Sequence, residues 1–292
     1  MAEKDVTQKI LEAKPDVFAD IVNGFLFNGD SVIKPEELKL SFSISSYEDK
    51  GKFRSLERDV SMIWQNNKIN IACIGIENQS SKDKSMPLRV IAYDGAEYKK
   101  QINDNVDNYY PVITLVLYYG ADLWENYQAL SDLMHVPNNL KPYFNDYKIN
   151  LFDLAHMSIV DAKKFTSDFG AIVDYFAQIN ETKDYNPSTK ILDYPEETLR
   201  LMKYLTKDAK YEQLLSYEKG GQVSMYDYLQ VLSDKAEARG EARGEAIGEA
   251  RGKELYAKLT KKLIQLGRTN DLLLAADDTS YREALMKELA IQ

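Results

Sequence analysis

The chain has 292 residues, a formal net charge of −9, 44% apolar residues and 20 tyrosines. That length can bury one large core or two smaller ones, and the aromatic content excludes a disordered chain. The acidic balance argues against binding nucleic acid through bulk charge, and the single cysteine, Cys73, excludes an intramolecular disulfide.

No apolar stretch follows a basic start, and no run reaches the ~20 apolar residues of a membrane span. The expectation is a cytoplasmic protein without membrane contact. Charge is uneven along the chain. Residues 51–110 hold 9 basic and 8 acidic residues, so they form the least acidic part.

In chain order, residues 5–28 read as helix, broken near Ala13-Lys14 and restarted at Pro15, which suits a first turn. Phe18, Ile21, Val22, Phe25 and Leu26 make its apolar face, with Asp16, Asp20 and Asn23 on a more polar side. Leu38 to Ser46 alternates as one half-buried strand. The stretch from Glu57 to Gln79 carries two apolar runs around the polar turn Q-N-N-K. Ile69 to Gln79 is apolar on both faces early on, which predicts a central strand. Pro87 begins a helix to about Ile102, and Val112 to Tyr119 is a fourth strand ended by Gly120. Leu151 to Ala155 reads as a further strand. Helices follow over Asp161–Asn180, Pro195–Lys207 and Ser224–Ser233.

The chemistry-bearing residues cluster at the ends of the two apolar runs. Asp59 opens the first, and Glu77 and Gln79 close the second. Acids at adjacent strand ends suit a divalent cation, because Mg²⁺ takes one or two carboxylates plus water and phosphate. Glu77-Asn78-Gln79 adds the Asn78 carbonyl as a further oxygen. Gln79 has no proton to exchange at neutral pH, so it can only orient water or a phosphate oxygen. On the following helix Arg89, Tyr93 and Lys100 form one stripe that could meet a DNA backbone, with Gln101 beside it. The bland alternatives are solvated strand ends and an ordinary wet helix face. His135 and His156 have no ligand-spaced neighbours, which argues against zinc.

These words carry a resemblance. Asp59 followed by Glu77-Asn78-Gln79 resembles the PD-(D/E)XK nuclease core, with Gln in place of the usual Lys. G-I-E-N-Q, M-P-L-R-V-I-A-Y-D-G-A-E-Y, V-F-A-D-I-V-N-G-F-L-F-N-G and P-V-I-T-L-V-L-Y-Y-G are similar to the recombination-promoting nuclease, or transposase-like, family of bacteria. The resemblance implies an α/β fold with a restriction-endonuclease-like core, a mixed sheet flanked by helices. It implies Mg²⁺-dependent (or Mn²⁺-dependent) endonucleolytic cleavage of DNA in recombination. It also implies Asp59, Glu77 and Asn78 as metal ligands, with Asp20 as a further ligand from the first helix. A catalytically weak module that binds DNA or protein is the alternative.

Strand parity adds a condition. A plain two-residue loop at Asn66-Asn67 would put Asp59 and Glu77 on opposite faces. A shared ion therefore requires an odd loop such as Asn66 to Lys68, which pairs Asp59 with Gly75, or a bulge that restores the phase. Gly75 would then leave open space beside the site.

Domain organisation reads as a nuclease-like domain with a helical extension over residues 1–215 and a helical tail over 216–292. Within the tail, E-A-R-G, E-A-R-G, E-A-I-G, E-A-R-G fills residues 237–252. Four glycines at about 1 kcal/mol each make a poor isolated helix. Glu and Arg are never three or four apart, so no such ion pairs support it. Small-residue rows permit close approach of a second helix. With the apolar face from Leu255, this predicts a homodimer through the tail, against a solvated linker as the plain alternative.

Overall fold

The computed structural model describes residues 9–41, 45–49, 52–56, 58–215 and 223–291, with 45–49 and 52–56 described by backbone alone. Its centre is a mixed five-stranded sheet in the order β1-β4-β5-β6-β7. The strands are β1 (Leu38–Leu40), β4 (Val60–Asn66), β5 (Ile69–Gln79), β6 (Val112–Tyr118) and β7 (Asn150–Asp153). The β1-β4 and β4-β5 pairs are antiparallel, while β5-β6 and β6-β7 are parallel. β5 is central and buried from Ala72 to Asn78, as its two-sided apolar sequence predicts.

Helices cover both faces. α1 (Pro15–Leu26) begins with proline at its first turn, after a helical segment at residues 9–12 and a break at 13–14. It packs Phe25 on Phe152, ring centroids 4.3 Å apart. α2 (Met86–Asn103) joins β5 to β6 and packs Met86 and Val90 on Val116, Tyr118 and Trp124. Val116 and Tyr118 have opposite parity to Leu117, the register partner of Phe152, so α1 and α2 lie on opposite faces. Asn23 is buried in spite of its polar side chain. Its amide donates to the Ile33 carbonyl at 2.8 Å and accepts from the Ile33 amide at 2.9 Å, pinning the return of the chain.

Several expectations are corrected. The strand read over Leu38–Ser46 is only β1, followed by a separate antiparallel pair, β2 (Ser45–Asp49) with β3 (Lys52–Leu56). Residues 42–44 of that reading, and 5–8 of the first helix, lie outside the described residues. Asp161–Asn180 is two helices, α3 (Ile159–Ala162) and α4 (Phe169–Thr182). Ser158 caps α3 by accepting from the Asp161 amide at 3.1 Å, so Asp161 lies in the first turn of a short helix. α5 (Pro195–Thr206) is followed by an unforeseen α6 (Lys210–Leu215). The helix expected over Ser224–Ser233 runs much further, as α7 (Met225–Gln265).

The chain divides into two compact units, Met1–Tyr228 and Leu229–Gln292. The second unit has its own small core, where Leu259 and Leu263 of α7 meet Ala275 of α8 (Thr269–Asp277) and Leu285 of α9 (Thr279–Glu288). Every residue from 233 to 254 is exposed. Among the described residues no helix is long and apolar enough to cross a membrane.

Candidate functional site

The β4-β5 turn sets the site. Asn67 and Lys68 both have positive φ, 48° and 69°, the signature of a two-residue type I′ turn. Asn66 pairs with Ile69 and Gln65 with Asn70, a register that would set Asp59 opposite Ile76. Between Trp64 and Gln65 the register shifts by one, leaving Ile71 as the extra residue on β5. Beyond the bulge Val60 pairs with Ile76, where the ladder ends; continued by one step it would set Asp59 opposite Glu77, and Asp59 does reach this strand end, its Oδ2 accepting from the Asn78 amide. The bulge, not an odd loop, restores the phase, and Gly75 pairs with Ser61 while the ladder leads Asp59 toward Glu77.

Gly75 does not open space. A side chain there would collide with Arg58, whose stem crosses it. Arg58 is buried and paired with Asp94 of α2, which also accepts from Thr114 Oγ1 at 2.7 Å and from the Tyr147 hydroxyl. Arg58 Nε and Nη1 have no partner. This buried network holds the residue immediately before Asp59.

Asp59 Oδ2 accepts from the Asn78 amide at 2.8 Å, and its other oxygen lies 3.5 Å from Lys9 Nζ. Glu77 is 3% exposed. Its Oε1 receives Arg89 Nη2 and, at 3.3 Å, the Gln79 amide, while Oε2 is buried without a partner among the described residues. Burial and the nearby Asp59 charge push the Glu77 carboxyl up to about 8, against the pull of Arg89, Lys9 and Arg58. Arg89 also donates to Asp83 at 2.9 Å and to the Tyr93 hydroxyl at 3.0 Å.

A third carboxylate approaches from the other side of the strand end. Glu12 is fully buried, and its Oε2 accepts from Asn78 Nδ2 at 2.7 Å. The Tyr119 hydroxyl lies beside it without a well-formed hydrogen bond. Burial pushes Glu12 up to about 8, and the Asp59 charge adds to the rise. Glu12 Oε1 and Asn78 Oδ1 also lack partners.

The sequence-derived candidates therefore divide. Asp59, Glu77, Asn78, Gln79, Arg89 and Tyr93 converge at the end of β5. Lys100 does not. Its charge acts on Cys73, about 13 Å back along β5 at 3.3 Å per residue. Gln101 is buried and bonded to the Tyr110 backbone. Asp20 is engaged elsewhere. Its two oxygens accept the amides and hydroxyls of Thr166 and Ser167, closing the link between α3 and α4. The acid from the N-terminal helical region that reaches the strand end is Glu12, which the sequence reading missed. The available signal was an acid inside the apolar word I-L-E-A, directly before the Pro15 break.

Replacing Asp20 with Ala is expected to cost roughly 2 kcal/mol, because several charge-assisted hydrogen bonds vanish together. Calorimetric titration with Mn²⁺ should meanwhile give an unchanged affinity. A weakened affinity at native stability would return Asp20 to the site.

Residues 45–210 match the family described as Putative transposase, YhgA-like. That is more than half of the chain. The chain belongs to this family. The YhgA-like match includes Asp59, Glu77, Gln79, Arg89 and Tyr93, and it excludes Glu12, Asp20 and the tail repeat. No curated protein and no solved structure matches the chain.

The residues suit a divalent cation by their chemistry. Two facing carboxylates repel each other, one buried oxygen has no donor, and a small cation would satisfy both. The fit is that of a two-carboxylate site. Among the described residues no three His, Cys, Asp or Glu side chains form a group with metal-ligand spacing.

Proposed function

We propose that this YhgA-like protein is a divalent-metal-dependent endonuclease acting on DNA, built on a PD-(D/E)XK core. The observation that carries this reading is the convergence of Asp59 and Glu77 at the end of β5, one step beyond the bulged β4-β5 ladder, with Glu77 Oε2 buried and unpartnered among the described residues. Asp59, Glu77 and the Asn78 carbonyl would hold Mg²⁺ or Mn²⁺, which supplies a Lewis acid that acidifies water and offsets charge on a phosphate. Gln79 donates its amide to Glu77 and thereby fixes the carboxylate's orientation. Having no titratable proton, Gln79 positions groups and does not serve as the base. Arg89 offers a planar fork of donors suited to a phosphate, held at the rim by Asp83 and the Tyr93 hydroxyl. Glu12 accepts from the Asn78 side-chain amide and so orders Asn78 from behind.

A second reading is a weakly active or inactive nuclease-fold protein that binds DNA or another protein. It is favoured by Arg89, which already compensates the Glu77 charge, and by the −9 net charge. Incubating the full chain with supercoiled plasmid, with Mg²⁺ or Mn²⁺ and with EDTA, decides between them. Nicking that appears with the ion and disappears with the chelator supports the enzyme. A gel shift with no nicking in either ion supports the binding module.

For the tail we propose self-association through the repeat, giving a homodimer. Nothing lies within 4 Å of a side chain added at Gly240, Gly244, Gly248 or Gly252, so a second helix could approach there. Circular dichroism of a 229–292 peptide should show helix content rising with concentration. Helicity independent of concentration would assign the repeat to a solvated linker.

A further inference from the structure

The outer face of α2 carries an apolar seam that no other described residue of the first unit buries. Leu88, Ile91, Tyr98 and Ile102 are 47%, 38%, 42% and 58% exposed. With Gly95 they fall at successive spacings of three, four, three and four residues. At 100° per residue all five lie within about 80° of one another, the narrow seam through which one helix packs on another. The buried side of α2, centred on Val90, Asp94 and Glu97, points elsewhere, as do Arg89 and Tyr93, so the seam is separate from the acidic site.

The seam is also close to palindromic. Gly95 stands at its middle, and a side chain added there would meet nothing within 4 Å. Leu88 and Ile102 lie seven residues to either side, Ile91 four before and Tyr98 three after. The charges continue the pattern. Exposed Lys82 and Lys84 precede the helix, and exposed Asp104 and Asp107 follow it. Asp83, between the lysines, is engaged by Ser85 and Arg89 of its own chain. Exposed Lys99 stands about 20° from Leu88 on the same side, so the acidic end is mixed, but Lys82 and Lys84 still come to Asp104 and Asp107 when the surface is turned through 180°.

We propose that this face binds a second copy of the chain, α2 against α2 in antiparallel orientation, crossing at Gly95. Leu88 then meets Ile102 of the other copy and Ile91 meets Tyr98. Lys82 and Lys84 face Asp104 and Asp107, and the two helix dipoles oppose favourably. Glycine at the crossing lets the backbones approach closely. From Leu88 to Ile102 the seam is about 21 Å long. A single helix seam is a small interface, so the dimer forms in a concentration-dependent way. Neither the metal chemistry nor the tail enters this assignment.

Disulfide trapping in the full-length protein tests it. Gly95→Cys has room for its side chain, and the native Cys73 is buried, so background oxidation is low. Under mild oxidation Gly95→Cys should form a covalent dimer roughly tenfold faster than Tyr143→Cys, a control at an 84% exposed position. Adding Ile102→Asp should remove that advantage. Adding Lys84→Asp or Asp104→Lys singly should slow trapping, and both together should restore it. Trapping no faster than the control, or unaffected by Ile102→Asp, overturns the proposal. So does loss of trapping on deleting 237–292, which would assign the seam to the tail. Failure of plasmid cleavage leaves every one of these outcomes unchanged.

Discussion

Asp59→Asn is expected to lower divalent-dependent nicking of supercoiled plasmid by two or more orders of magnitude, equivalent to roughly 3 kcal/mol of lost barrier reduction. Glu77→Gln should do the same, since each change removes one of the two facing charges. Neither should unfold the protein. Asn at 59 still presents an oxygen to the Asn78 amide, and the lost contact with Lys9 is a partly exposed pair of small worth. Removing the Asp59 charge also takes away its repulsion of Glu77 and Glu12 where these ionise, so the variant should melt no lower than the parent at pH 9. Gln79→Ala should cost far less, about tenfold at most, because it positions Glu77 without exchanging a proton. Nicking rates and melting curves measured together separate chemistry from folding. Full activity in Asp59→Asn would sink the assignment of the site.

The order of elements around this site was readable because each rests on local signals. Pro15, the Pro87 helix start, the two-sided apolar run of β5 and the Gly120 stop are visible in a window of a few residues. The β4-β5 phase was readable in a different way. Parity alone demanded either an odd loop or a bulge, yet it could not choose, because the choice depends on φ at Asn67 and Lys68 and on where the sheet accepts an extra residue. What stayed hidden depends on partners far apart in sequence. Asp20 looks like a free helix acid until it meets Thr166 and Ser167, 146 and 147 residues later. Glu12 looks unremarkable until Asn78 arrives from 66 residues away. Gly75 reads as open space unless one knows that Arg58 crosses it to reach Asp94. Arg89 shows the same limit. Its helix position suggested contact with solvent and phosphate, while the fold turns one of its nitrogens onto Glu77.

The acids that make the site also load the fold with a pH-dependent cost, and Glu12→Gln should expose it. Glu12 and Glu77 are both pushed from 4.5 to about 8, chiefly by burial. A buried acid with a raised value binds its proton more tightly in the folded chain than in the unfolded one. The associated stability is therefore fully present below pH 4.5 and is lost as pH rises through 8. In EDTA, the melting temperature of the parent should fall across that window and level off above it. Glu12 has no cation beside it among the groups that set its value, so its charge is poorly compensated once ionised. Glutamine keeps the shape, removes the charge and brings an amide toward the unpartnered Asn78 Oδ1. At pH 9 the variant should be more stable by roughly 2 kcal/mol, about 4–8 °C for a unit of this size. At pH 4.5 the two proteins should melt together, because Glu12 is then protonated in the parent as well. The slope should shrink without vanishing, since Glu77 still titrates. A Glu12→Gln protein destabilised equally at both pH values would show that Glu12 acts only through its hydrogen bond to Asn78, with no burdened charge behind it.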